Sequence, residues 1–278
     1  MTATTICSSQ PNVRTTHCEA IMRVDMNRRN AIALNNKAAA SLQIDRPQEP
    51  MRLLRQAALE LHNSSSAVSN APQGPPVRNT KESKQRSRHP ASNESYAPGL
   101  RSKMDDTPAI QSVKLFNYFN QVSSSAHDDD SLQLIYTNAL ILSDEEEDDE
   151  LIAATILYHM ALIHHLYGVH NGKRTHMNEA LRLYQTALVV LDRCDVLSSA
   201  ACRCSSINLL RLVLLNNSSH IFLSTYHRKG FLEMIDYMCD IMNEQEGAGS
   251  PHEEDDYAFF YMNALVCSQN LLNVAPAA

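Results

Sequence analysis

The chain has 278 residues, 44% of them hydrophobic, and a formal net charge of −7. That is enough apolar material for a sizeable core in one domain or two small ones, and the acidic balance disfavours a nucleic-acid partner. With only 7 glycines and no tryptophan, an all-β fold is disfavoured, because such folds need turn residues about every 8–12 positions. No G-x-G-x-x-G, Walker-type loop or G-x-S-x-G is present, so phosphate-cradling loops and the hydrolase nucleophile elbow are excluded too.

Residues 1–17 are rich in Ser and Thr and are expected to be disordered. A helical pattern follows from Cys18 to Ile44, "DRP" at Asp45–Pro47 makes a turn, and a second helix runs from Pro47 to His62. Residues 18–62 thus form a first hairpin, expected to dock onto the rest of the chain. From 63 to 130 the composition shifts to Ser, Asn, Pro and charge, too polar to offset its ordering entropy, which predicts a disordered linker. Its basic run "KESKQRSRH" reads first as solvated linker, with a nuclear address or an acid-binding tail as the alternatives. "SVKLFNYFNQV" and "SLQLIYTNALIL" fit a short strand or a helix equally well.

Residues 131–278 read as the main helical domain. Ser143 with Glu146 makes a capping box, and the acids after it suit the positive end of a helix dipole. An EF-hand loop is excluded there because alternating ligands and a central glycine are missing. Gly168 is expected to end this helix. A partner runs from His176 to Asp192 with an i, i+3/i+4 stripe of Ala180, Leu181, Tyr184, Ala187, Leu188 and Leu191. A long helix spans Ser198–Tyr226, Gly230 breaks it, "FLEMIDYMCDIM" is its partner, and "YAFFYMNALVCSQNLL" is the last helix.

The 7 cysteines are odd in number and irregularly spaced, as free thiols in a reducing compartment are. No charged-then-apolar pattern is read at the start of the sequence, so no signal peptide is expected, and the apolar stretch Leu151–Gly168 is interrupted by histidines. The expected location is cytoplasmic or nuclear, with no membrane partner.

Five histidines crowd residues 154–188: His159, His164, His165, His170 and His176. A helical zinc pair needs i, i+4 spacing. His159, His164 and His165 point in different directions at about 100° per residue. No H-E-x-x-H occurs, and Cys202-Arg203-Cys204 lacks the spacing of a zinc module. No metal, no cofactor and no catalytic residue is expected, and the chain reads as a non-enzyme. His159 and His165 are expected to face a groove, with His164 partly buried.

Three helical pairs align on their turns. The second helices give Pro50-x-x-x-Leu54-x-x-Ala57, Ala180-x-x-x-Tyr184-x-x-Ala187 and Phe231-x-x-x-Ile235-x-x-Met238; the first helices give "LNNKAAA", "LYHMALI" and "LNNSSHI", and the last helix "YMNALV". This resembles the tetratricopeptide (TPR) repeat, best in the middle unit, where Met160-Ala161 take the large-small pair. Pro50 and Phe231 stand where the family has alanine, Ser218-Ser219 replace the Leu-Gly pair, and the middle turn carries "VHNGKRT" as an apparent insertion. The resemblance implies an all-α, TPR-like stack of antiparallel helix pairs in a right-handed superhelix, interrupted by the linker. It also implies a concave groove, lined by first helices, that binds a peptide or protein segment. Asn36, His159, Asn217 and Asn263 fall in one recurrent slot and are expected to form a ladder on an extended partner backbone; Tyr158, Leu162 and His165 complete the expected groove. The alternatives are a helical-repeat RNA binder and a metal-dependent hydrolase built on the His-rich loop.

Overall fold

The computed structural model describes residues 13–42, 46–69, 109–113, 134–146, 148–194, 201–246 and 254–273. They form seven helices and two short strands: α1 (Val13–Ala40), α2 (Gln48–Ser69), β1 (Ile110–Val113), β2 (Ala139–Leu142), α3 (Asp149–His170), α4 (Arg174–Cys194), α5 (Ala201–Ser224), α6 (Arg228–Glu246) and α7 (Glu254–Asn273). Helices adjacent in sequence pack as pairs: α1 with α2, α3 with α4, α5 with α6.

Second helices bury a single face. Leu54 and Ala57 on α2, Ala180, Tyr184 and Ala187 on α4, and Phe231, Ile235 and Met238 on α6 all lie in the core. Their spacing places them on one side of a 3.6-residue helix. α3 and α5 lie deeper: 13 of the 22 residues of α3 are buried, as is every residue of α5 from Leu210 to Ile221. Among the described residues α3 is also the one helix long and apolar enough to cross a membrane, and 67% of that window is buried inside the protein.

Several boundaries differ from the sequence expectation. α3 begins at Asp149, capped by Asp148, whose carboxylate accepts from Leu151 N–H at 3.0 Å. The Ser143 capping box does not form. Ser143 N–H is committed to the Ala109 carbonyl (3.0 Å), its hydroxyl accepts from Glu145 N–H, and Glu146 reaches forward to Asp148 N–H at 2.8 Å. Gly168 does not end α3. It lies inside the helix, where a Cβ would come within 2.8 Å of Met177 Cγ and 3.0 Å of Met177 N, so it permits the close approach of α4. The chain turns instead at Gly172, φ 62°. "VHNGKRT" is accordingly no inserted loop: its ends belong to α3 and α4, and only Asn171–Lys173 connect them. Gly230 likewise sits within α6, donating its N–H to His227 Nδ1, and the break falls at Tyr226, φ 58°.

α2 continues to Ser69 and β1 lies within the stretch 63–130 expected as linker. The rest of that stretch, and residues 1–12, lie outside the described residues. β1 and β2 pair antiparallel, with Ile110 opposite Leu142 and Val113 opposite Ala139. The segment left open between strand and helix is therefore a strand at 139–142. The N-terminal hairpin docks onto the rest: Arg28 Nε meets Asp149 Oδ1 at 2.7 Å, bridging α1 to the start of α3.

Candidate functional site

The segment of residues 134–142 runs across α1, α3, α5 and α7, entering through a tight turn at Leu134 and Ile135 and ending in β2 (Ala139–Leu142).

The contacts are directed at its main chain. Asn36 on α1 grips both main-chain polar groups of Leu142, accepting from N–H at 3.0 Å and donating to C=O at 2.9 Å. His159 on α3 accepts Leu140 N–H at Nε2 (3.1 Å), and Tyr158 OH donates to Asn138 C=O at 2.7 Å. Asn217 on α5 repeats the two-handed grip on Tyr136, accepting N–H at 2.8 Å and donating to C=O at 3.0 Å. Leu134 C=O accepts from both Asn216 (2.9 Å) and Asn263 of α7 (3.0 Å).

Only even-numbered residues are held this way. In an extended chain alternate residues present their N–H and C=O to opposite edges. The odd edge belongs to β1, as the Ser143–Ala109 bond shows. One strand is therefore satisfied on two sides, by a β-ladder and by helix-borne side chains. Slipping it by one residue would reverse both edges and both faces.

The ladder is cross-braced. Asn35 Nδ2 donates to Asn36 Oδ1, and Asn35 Oδ1 accepts from His159 Nδ1 at 2.9 Å. Asn216 links Asn217 (3.1 Å) to Asn263 (2.9 Å). Because His159 Nε2 accepts from Leu140, the ring carries its proton on Nδ1 and is neutral. Complete burial holds it so, lowering its pKa to about 3. Burial also raises the hydroxyls of Tyr158 and Tyr184 well above the ordinary tyrosine range, keeping them as donors.

The side chains of the segment fill apolar pockets. Ile135, Tyr136, Ala139, Leu140 and Leu142 are all buried. The Tyr136 ring stacks on Phe260 with centroids 5.1 Å apart and meets the edge of Phe259. Its hydroxyl donates to Asp256 Oδ1 at 3.0 Å, so the Ser112 hydroxyl, 2.8 Å away, is the donor to it; Asn138 Nδ2 in turn donates to Ser112 Oγ. Burial first, and the Asp256 charge second, push the Tyr136 hydroxyl upward. Each large apolar side chain buried contributes about 1.5–3 kcal/mol, against about 0.5–1.5 kcal/mol net for each ladder bond. Per group a filled pocket contributes more than a ladder bond, and the ladder sets the register.

Of the residues expected in the groove, Asn36, Tyr158, His159, Asn217 and Asn263 meet at this strand, and the strand is a part of the same chain. Leu162 is buried in the core. His165 is turned to the neighbouring helices: Nδ1 faces Tyr184 OH at 3.4 Å and Nε2 faces His220 Nδ1 at 2.9 Å. Asn217 also donates to the Tyr184 oxygen at 3.2 Å. Burial holds His165 well below the ordinary histidine range, and the nearby His220 adds to this. His164, half-buried, lies 2.9 Å from His176, Nδ1 to Nδ1, with the rings stacked. Burial and His176 lower it. Among the described residues no three His, Cys, Asp or Glu side chains come together in a metal-holding group.

Sequence reasoning missed Asn35, Asn216 and Asp256. The first two had a visible signal, the repeated "LNN" at Leu34 and Leu215; Asp256 had none, being one of several acids around the start of α7. No family model, no curated protein and no solved structure matches this chain.

Proposed function

We propose that the protein is a non-enzymatic interaction scaffold of the cytoplasm or nucleus. In this reading its TPR-like stack of helix pairs holds a peptide or protein segment, in extended form, along the face made by first helices. One observation carries it: Asn36, His159, Tyr158, Asn217 and Asn263, from four helices, bond main-chain groups of the single segment 134–142, which ends in the strand β2. Main-chain recognition is indifferent to side-chain identity, so it suits a polypeptide chosen by its apolar pattern.

The test is affinity capture of partners from cells by the full chain and by two variants. Asn36→Ala with Asn263→Ala weakens the two ends of the ladder; Lys229→Glu alters an exposed side chain on α6. Thermal melts establish that each variant is folded. Selective loss of a captured protein with the ladder variant is the expected result. Equal loss with Lys229→Glu, or no loss with either, removes the groove reading.

A further inference from the structure

Resting on the scaffold reading, we propose that residues 134–142 are a built-in stand-in for the partner. The same ladder takes an external strand carrying a tyrosine, then leucine-sized side chains four and six residues later, and takes it only when the internal strand has left.

The pattern is that of Tyr136, Leu140 and Leu142, each seated in a pocket made by the rest of the chain. The Tyr136 pocket is the most selective. It offers an aromatic face at Phe260, an aromatic edge at Phe259, and the Asp256 carboxylate at its end. A phenylalanine there leaves Asp256 without its hydroxyl donor, and an aliphatic residue also forfeits the ring stacking.

The helical frame is bonded without the strand. Arg28–Asp149 and Asn35–His159 join α1 to α3; Asn217–Tyr184 joins α5 to α4; His165–His220 joins α3 to α5; Asn216–Asn263 joins α5 to α7. These bonds brace His159, Asn217 and Asn263 whether or not a strand lies on them, and Asn35 braces Asn36, so a strand arriving from outside meets a largely preorganised site. The hinge to α3 is short, with Asp144 and Glu145 exposed and Glu146 buried.

Two measurements on the unmodified full chain decide it. In native-state hydrogen exchange, the Tyr136, Leu140 and Leu142 amides are expected to exchange at least about tenfold faster than the Ile156–Leu162 amides of α3, reporting departure of the strand from a folded frame. A fluorescein-labelled synthetic peptide of residues 133–143 is expected to bind saturably. The same peptide with alanine at the tyrosine and at the Leu140 and Leu142 positions is expected to bind at least about tenfold more weakly. Exchange of the strand amides no faster than the α3 core makes the segment a permanent part of the fold and overturns the proposal. So does fast exchange with no preference between the two peptides. A partner captured by the full chain and lost with the ladder variant, while the strand amides stay as protected as α3, sinks this inference and leaves the scaffold reading standing.

Discussion

The two Leu-Asn-Asn runs, at Leu34 on α1 and Leu215 on α5, perform one task in different surroundings. In each, the second asparagine grips both polar groups of one strand residue, and the first braces it. Asn217 is completely buried and makes four hydrogen bonds, to Tyr136 N–H and C=O, Asn216 and Tyr184 OH. Asn36 is only partly buried and makes three, to Leu142 N–H and C=O and to Asn35. On α3 the same slot holds His159, which offers an acceptor alone to the strand, its other nitrogen being used by Asn35. What a ladder residue is worth thus depends less on its identity than on whether water can replace it.

The largest test removes the buried grip. Asn217→Ala strands the Tyr136 peptide groups away from water and should cost about 3 kcal/mol in denaturant unfolding. A loss no greater than that of Asn36→Ala would break the comparison.

Acid sharpens it at the middle rung. His159 is neutral when folded, with its pKa held near 3, and takes up a proton when unfolded. Its contribution is fully present above about pH 6.5 and falls by about 1.4 kcal/mol per pH unit from there down toward pH 3. His165, lowered in the same direction, adds to the slope. Stability measured from pH 7 to 4.5 should therefore drop steeply, and His159→Gln, which keeps an acceptor and loses the basic site, should make the slope shallower by about 1.4 kcal/mol per unit. An unchanged slope in that variant would mean the ring is not held neutral.

Asn36→Ala should cost about 1 kcal/mol, because water can reach the freed Leu142 groups; chemical denaturation again reads it. The smallest effect lies off the ladder. Tyr226 is 95% exposed at φ 58°, a backbone region that asparagine enters more readily than tyrosine. Tyr226→Asn should stabilise by about 0.5 kcal/mol, raising the melting temperature without altering the exchange of the strand amides.

Helix positions, the stripe of Ala180, Tyr184 and Ala187, and the shared slot of Asn36, His159, Asn217 and Asn263 were all readable along the chain. They follow from the 3.6-residue period and from local spacing. The glycines misled because two functions look alike in one dimension. Gly168 and Gly230 permit close contact inside helices, whereas the turns fall at Gly172 and Tyr226.

The occupant of the groove was decided only by the fold. Periodicity left residues 131–142 open between strand and helix, and it is partners far along the chain that hold residues 134–142 in place: Tyr136 meets Asn217 across 81 positions and Leu134 meets Asn263 across 129. A side-chain pattern within one segment carries no record of contacts that distant. Sequence could place the polar groups of the ladder on their helices, but only packing the helices side by side could show which backbone lies across them.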